Sequence, residues 1–365
     1  MNDDLYRYNR QTLLPNFGEE GQRKLLDSTV LILGCGALGS MAADLLARAG
    51  VGHLKIADRD FTDLTNLQRQ VLFDEHDVSD FIPKAEAAKR RIAQINSCVR
   101  VTAIVDDLNY RNIEQYSNNV DVLVDGLDNF ETRYLANDLA VKYSIPYTYG
   151  AAVGTVGTVF TILPHTTEGN APWETCSDKS YATPCFRCLF EEAPPPGTSP
   201  TCDTVGILAP VVTTIASFQV AEILKVLTSS YAQVNPTLLN VDLWENTVAQ
   251  LRVGETYDQS DCPCCKHHRF DYLDGTLGSG TVTLCGHDAV QLKHKQSSIT
   301  LNFDEIAARL REHGEVLTGP YMLRAKINDN GKNYQLSLFP DGRAIIHGTT
   351  KENVARSVYA KYVGT

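Results

Sequence analysis

The sequence has no excess of positive charge: Lys and Arg number 33 against 44 Asp and Glu, a formal net charge of −11. A nonspecific polyanion binder needs a basic face to displace counterions, so this balance argues against nucleic acid as a partner and leaves room only for a local basic site. A signal-peptide layout is missing too, because Met1-Asn2-Asp3-Asp4 is acidic where a leader would be basic and then apolar. There is no internal repeat and no low-complexity tract. One long apolar run, Ala209 to Leu227, raises the question of a membrane span, but Pro210, Gln219, Glu222 and Lys225 within it predict a buried amphipathic helix instead. A chain of 365 residues with 43% hydrophobic residues is therefore expected to be a cytoplasmic, enzyme-sized protein. What it does hold in number is cysteine, ten in all. A reducing cytosol leaves metal ligation, catalysis or core packing as their uses.

The first clear strand is Thr29 to Leu33, which stops at Gly34-Cys35-Gly36-Ala37-Leu38-Gly39 and leads into a helical stretch from Ser40 to Ala49. Leu54 to Ala57, Val99 to Val105 and Val120 to Val124 read as further strands, with helical spacing at Lys84 to Ile95 and Glu131 to Tyr143. Strands alternating with helices imply right-handed crossovers and a parallel sheet. From Thr155 onward Val156 to Leu163, Thr237 to Asp242 and Thr247 to Val253 follow without that alternation, which suggests an antiparallel extension of the sheet. The expected fold is thus α/β, a Rossmann-like mixed sheet spanning 1–273. Pro164 to Pro200, with Pro172, Pro184 and Pro194-Pro195-Pro196, is expected to be a long irregular connection. Asp274 to Gly280 reads as a linker, and 281–365 as a small α+β domain with strands at Thr281 to Leu284, Tyr321 to Ile327, Tyr334 to Phe339 and Ala344 to His347 and helices at Phe303 to Glu312 and Lys351 to Tyr362.

In the glycine turn, Gly34, Gly36 and Gly39 permit a tight turn, close approach of backbone to phosphate oxygens and close helix packing, with the helix N-terminus supplying N–H groups. Asp58, at the end of the second strand, is placed to accept from a ribose hydroxyl. The turn alone leaves a nicotinamide dinucleotide open. Arg69, in Asn66-Leu67-Gln68-Arg69-Gln70, and Lys84 suit instead a triphosphate whose α-phosphorus accepts a nucleophile while pyrophosphate leaves. Asp128-Asn129 falls just past a strand, at the carboxyl edge where α/β sheets bind ligands, and an Asp there can hold Mg²⁺.

Arg7-Tyr8-Asn9-Arg10-Gln11, the glycine turn, Asn66 to Gln70, Lys84, Asp128 to Arg133 and two cysteine pairs together closely resemble the ThiF/MoeB/HesA family, bacterial relatives of ubiquitin-activating enzymes, over about Leu5 to Phe270. The resemblance implies ATP-dependent adenylylation of the C-terminal glycine of a ubiquitin-like sulfur-carrier protein ending in Gly-Gly, for thiamine (thiazole) or molybdopterin synthesis. It implies that Asp58 holds the ribose, that Asn66, Arg69 and Lys84 bind the phosphates, that Asp128 holds Mg²⁺, and that Arg10 reaches the triphosphate from the other subunit of a homodimer. Ala37, Asp60, Gln70 and Asn129 complete the nucleotide-contacting set. Relatives that adenylate a peptide terminus or activate a tRNA nucleoside, and a scaffold that binds the carrier without catalysis, are the alternatives; Arg10, Arg69, Lys84 and Asp128 weigh against the scaffold. A carboxylate is already ionised at neutral pH, so no general base is required and no histidine stands out.

Cys185-Phe186-Arg187-Cys188 and Cys262-Pro263-Cys264-Cys265 can each present two thiolates to one tetrahedral Zn²⁺, a closed structural site. Within the second pair, Cys262 could work with Cys264 or Cys265; the family pattern favours Cys265. Cys202, near the far end of the Pro-rich connection, stands where some members of the family form a covalent link with the carrier. Cys35 and Cys98 are read as small packing residues, Cys176 as a bystander, and Cys285 as structural, without the persulfide loop of a rhodanese. The C-terminal segment is similar to the small domain found on some ThiF-like proteins, with Phe339 to Ile346 as its clearest match, and is read as recruiting the carrier or a sulfur donor such as a cysteine desulfurase.

Overall fold

A computed structural model describes residues 3–176, 179–192, 202–277, 283–284, 289–292, 302–329, 331–340 and 342–363. The chain divides into two compact units, one of residues 1–78 and 83–278, the other of 79–82 and 279–365.

The first unit is built on eight strands: β1 (Thr29–Leu33), β2 (His53–Ala57), β3 (Arg100–Ile104), β4 (Val122–Asp125), β5 (Tyr147–Val153), β6 (Val156–Ile162), β7 (Thr237–Asp242) and β8 (Thr247–Arg252). Their order is β3-β2-β1-β4-β5-β6-β7-β8. The first five run parallel and the last three antiparallel, as expected of the mixed sheet. Chain order reverses between β1 and β4, so their carboxyl ends open a crevice at the switch point.

Alternation along β1 splits the two faces. Leu31 and Leu33 enter one core with Leu123, Leu139 and Tyr134, while Ile32 faces the Ala37–Ala49 helix on the other side. The helix Phe130–Tyr143 lies on the first face and buries a continuous run from Arg133 to Val141. A helix buried nearly all round shows little amphipathic pattern, and this one is enclosed by the sheet and the cysteine segments. The helix Ala209–Leu227 occupies the opposite face, against the Ala37–Ala49 helix, β5 and β6. It is the one helix among the described residues long and apolar enough to cross a membrane, and Val211, Val212, Ile215 and Ala216 are buried in the second core.

Several boundaries differ from the sequence reading. The helix after the glycine turn starts at Ala37 rather than Ser40, directly from the turn. Strand β5 was not expected: its small Gly150-Ala151-Ala152 run lacks the β-branched residues that mark strands, and pairing with β4 and β6 forms it instead. In the stretch read as linker, Thr276 and Leu277 N–H both donate to Asp271 O, turning its first residues back on the preceding segment; 278–280 lie outside the described residues.

The second unit has six strands in the order β11-β12-β13-β14-β10-β9, every pair antiparallel: β9 (Thr283–Leu284), β10 (Ala289–Leu292), β11 (Gly314–Thr318), β12 (Leu323–Asp329), β13 (Lys332–Leu338) and β14 (Ala344–His347). Helices Phe303–Leu310 and Glu352–Tyr362 close its core over Leu323, Leu336 and Ile346. Strands β10 and β11 were not read from the sequence, and β12 starts two residues later than expected. Between β13 and β14, Phe339 N–H donates to Arg343 O and Gly342 N–H, at φ +82, to Phe339 O, with the Arg343 guanidinium 4.9 Å above the Phe339 ring. Cys285 lies outside the described residues.

Candidate functional site

The glycine turn sits at the switch point. Gly34 has φ +85, and a Cβ there would lie 2.7 Å from Gly126 O; a Cβ on Gly39 would lie 1.9 Å from Gly34 O. A Cβ on Gly126, just past β4, would come within 2.3 Å of Gly34 O. These three glycines let the turn, the helix start and the end of β4 pack backbone to backbone. Gly36 differs: at its Cβ position the nearest atoms are Gly126 O at 3.9 Å and Gln70 Nε2 at 4.0 Å. A side chain at Gly36 would thus meet only ordinary contacts, so close packing does not require this glycine, and it stands directly before the N-terminus of the Ala37–Ala49 helix, where backbone N–H groups can hold a phosphate. Gln70 is 4% exposed, and its Oε1 has no hydrogen-bond partner among the described residues.

Asp58 closes the turn from the side. Its Oδ2 accepts Cys35 N–H at 2.6 Å and its Oδ1 accepts Asp60 N–H at 2.7 Å. Burial pushes its carboxyl up to about 6, against the pull of Lys84 and with added repulsion from Asp60. Lys84 opens the helix Lys84–Ile95 and is itself 7% exposed, with Nζ 3.5 Å from Asp60 Oδ2. Burial works against its charge, but Asp60, Asp58 and Asp128 outweigh it and hold the ammonium above its ordinary value. A second cation, Arg59, was not anticipated: its guanidinium is 2.7 Å from Asp107 Oδ1 and 3.7 Å from Asp60 Oδ1. Two cations, Arg59 and Lys84, thus meet four carboxylates, Asp58, Asp60, Asp107 and Asp128, all tied together electrostatically.

Asp128 is exposed, and its Oδ1 accepts from Asn129 Nδ2 at 3.1 Å. Asn129 caps the Phe130–Tyr143 helix by accepting Thr132 N–H at 2.9 Å. Asn66 ends a 3₁₀ turn and its carbonyl accepts both Arg69 and Gln70 N–H at 3.0 Å. The Arg69 side chain, half-buried, donates to Thr65 O at 2.9 Å rather than joining the Lys84 group. Arg10 is exposed in the last turn of the short helix Asn9–Thr12, and among the described residues no contact brings it to this site.

Beneath the site runs a buried polar network that the sequence reading missed. Asp125 accepts from Arg133 Nε at 3.1 Å, Tyr147 Oη at 2.7 Å and Leu127 N–H at 2.8 Å. Arg133 also donates to Leu127 O at 2.7 Å and Gly150 O at 3.3 Å. Gln219, from the apolar helix, donates to Asp125 O at 2.9 Å and Thr148 O at 3.1 Å, and a Cβ on Gly150 would strike its amide at 2.4 Å. Together these fix the segment from β4 to Asp128. A polar residue in the middle of an apolar helix was the available signal.

The cysteines sort by geometry. Cys185, Cys188, Cys262 and Cys265 are buried, with all four Sγ atoms within 4.8 Å of one another. Individual separations are 3.8 Å for Cys185–Cys188, 3.6 Å for Cys185–Cys262 and 3.3 Å for Cys188–Cys265. Zn–S bonds of about 2.3 Å in a tetrahedron place sulfurs about 3.8 Å apart, so the donor set fits zinc. Cys264 stands outside the four and accepts from Asn137 Nδ2 at 3.3 Å. Cys35 is buried, whereas Cys98, expected to pack inside, is exposed just before β3. Cys202 opens a short helix, half-buried, with Sγ 3.6 Å from Ala152 O on β5.

Residues 8–264 match the ThiF family. The chain belongs to that family. It is 41% identical over 361 residues to the sulfur carrier protein ThiS adenylyltransferase of Bacillus subtilis (strain 168), covering 98% of this chain and 99% of that one. It is 35% identical over 266 residues to the sulfur carrier protein ThiS adenylyltransferase of Escherichia coli (strain K12), covering 73% of this chain and 97% of the other. The crystal structure of E. coli MccB shares the fold, with a TM-score of 0.57 at 24% identity over 73% of each chain.

Within the ThiF family, then, the two bacterial relatives differ in extent. The B. subtilis protein aligns with nearly the whole of this chain, while about a quarter of this chain has no counterpart in the E. coli alignment. The ThiF match ends at residue 264 and so leaves residues 279–365, the bulk of the second unit, outside it.

Proposed function

We propose that this chain is an ATP-dependent adenylyltransferase that activates the C-terminal glycine of a ubiquitin-like sulfur carrier, for thiamine or molybdopterin synthesis. The observation that carries this reading is the glycine turn at the N-terminus of the Ala37–Ala49 helix, with Gly36 not required by packing, Cys35 N–H held by Asp58, and Asp58 itself drawn electrostatically to the buried Lys84. The names of the two bacterial relatives support the substrate class.

In this reading Gly34, Gly36, Ala37 and Gly39 cradle the phosphates and Asp58 holds the ribose. Asn66, Arg69, Gln70 and Lys84 bind the triphosphate, and Asp60 keeps Lys84 charged. The surplus of carboxylates over Arg59 and Lys84 fits a divalent cation, which Asp128, oriented by Asn129, would hold; bound Mg²⁺ supplies charge neutralisation at the phosphates. The carrier carboxylate attacks the α-phosphorus, the bond to the bridging oxygen breaks and pyrophosphate leaves, with Lys84 and Arg69 stabilising the charge. No proton is removed from the nucleophile. Arg10, exposed on its own protomer, serves the site of the second subunit in a homodimer. Zinc on Cys185, Cys188, Cys262 and Cys265 has a structural part, because four thiolates leave no open position. Cys202 is the candidate for covalent capture of the activated carrier. Residues 1–273 form the adenylyltransferase domain, 274–280 the linker, and 281–365 a partner-binding domain that recruits the carrier or a sulfur donor such as a cysteine desulfurase. The protein works in the cytoplasm, where its thiols stay reduced.

Pyrophosphate exchange into ATP tests the reading. Carriers ending in Gly-Gly are expected to stimulate exchange; stimulation by a peptide or tRNA alone would overturn the substrate. Loss of a covalent carrier adduct in Cys202→Ala, with exchange intact, is the expected result for that thiol.

A further inference from the structure

Two neighbouring residues of the Phe130–Tyr143 helix, Asn137 and Asp138, have no exposed surface and face the cysteine segments. The orientation of the Asn137 carboxamide follows from its partners. Its Oδ1 accepts Phe186 N–H at 2.7 Å, from inside the first cysteine pair. That turns Nδ2 toward sulfur, 3.8 Å from Cys185 Sγ and 3.3 Å from Cys264 Sγ. Asp138 grips the same region from the next position: its Oδ2 accepts Tyr272 N–H at 2.9 Å, and Arg187 NH1 lies 3.7 Å from its Oδ1.

A thiolate bound to a dication keeps negative charge on sulfur, and an N–H aimed at it fixes the ligand's direction and tempers that charge. We propose that Asn137 is a positioning residue of the cysteine centre, an outer-shell donor to Cys185 that also seats the first cysteine pair through Phe186. The inference rests on reading the four cysteines as a zinc site. It also gives Cys264 a part: as the second acceptor it keeps the amide aimed at the cluster without being a ligand.

The test uses the full-length chain loaded with zinc, and with cobalt(II) as a spectroscopic stand-in. Asn137→Asp retains an acceptor for Phe186 N–H and removes the sulfur donor at nearly constant volume. It is expected to lose metal to a competing chelator 10- to 100-fold more readily, the range usual for outer-shell partners, and to shift the thiolate-to-cobalt absorption bands. If Asn137→Asp is poorly folded by circular dichroism, Asn137→Leu, which fills the space with neither donor nor acceptor, is expected to weaken metal at least tenfold. Wild-type chelator resistance, within twofold, together with unchanged cobalt bands in a folded variant would overturn the proposal. Failure of the wild-type chain to take up one metal equivalent would overturn the zinc reading itself, a separate outcome.

Discussion

Gly36→Ala and Gly39→Ala make a matched pair, one methyl group each, three residues apart in one turn. At Gly39 the new carbon would sit 1.9 Å from Gly34 O and 3.3 Å from Ile32 Cγ2. An ordinary contact is about 3.5 Å, so the helix start must back away from the turn by about 1.5 Å. Overpacking of this kind costs about 1–3 kcal/mol, which in a unit of this size lowers Tm by roughly 2–10 °C. At Gly36 the new carbon meets nothing closer than 3.9 Å. Stability should change by no more than about 1 kcal/mol, the difference between Gly and Ala at a helix N-cap. Yet that methyl group fills the space assigned to a phosphate. Displacing the phosphates by about 1 Å is expected to cost about 100-fold in rate, with a comparable loss of ATP affinity. The assays are thermal melts without nucleotide, ATP titration by calorimetry, and pyrophosphate exchange. Gly39→Ala should fail in all three, Gly36→Ala only in the last two. A Gly36→Ala protein that binds ATP like the wild type would refute the placement of the nucleotide, because the protein contacts at this position accept the methyl group and only a bound phosphate would object to it.

Lys84→Met should lower exchange by about 10²–10³-fold and move the acid limb of nucleotide affinity upward, since Lys84 lowers an Asp58 carboxyl that now stands at about 6; an unmoved limb would separate the two residues. His53 is held neutral, with Nε2 2.8 Å from Thr102 Oγ1 and Nδ1 facing Arg100 at 2.8 Å. Burial, helped by Arg100 and Lys55, pushes its imidazole down to about 4. Its contribution is therefore complete above the ordinary histidine value near 6.5 and is lost as pH falls through 4, about 1–2 kcal/mol after solvent screening. Urea melts from pH 4 to 7 should show that slope, and His53→Gln should flatten it. Cys265→Ala should release zinc while Cys264→Ala keeps one equivalent, read by metal analysis after gel filtration; equal retention in both would undo the four-sulfur assignment.

Local chemistry was legible in the sequence, long-range chemistry was not. The glycine turn, Asp58 at a strand end and Lys84 at a helix start each follow from a few adjacent residues, and the strand before the turn was placed to the residue. Strand β5 escaped because Gly150 and two alanines carry no strand signature; Gly150 is there to leave room for Gln219, 69 residues later. Asp125, Arg59 and Asn137 likewise take meaning only from partners brought by other elements. The two cysteine pairs announced themselves by spacing; spacing alone left Cys264 and Cys265 open, the family pattern favoured Cys265, and it is Cys265 whose sulfur joins the cluster. Cys98 was misread because a cysteine beside a strand is usually buried, and this one sits in the exposed turn ahead of β3.

The Phe130–Tyr143 helix begins beside Asp128 and meets the cysteines at its midpoint, Asn137. During synthesis its outer face emerges well before its cover: Cys185 follows by some 40 residues, and Cys262 is a further 77 residues on. The nascent chain thus carries a complete glycine turn while half of a core helix is still bare. If the four cysteines hold zinc as proposed, metal capture would be a late event sealing a surface already waiting for it, and a zinc-starved cell would accumulate chains arrested with that aromatic-rich surface open to chaperones and proteases.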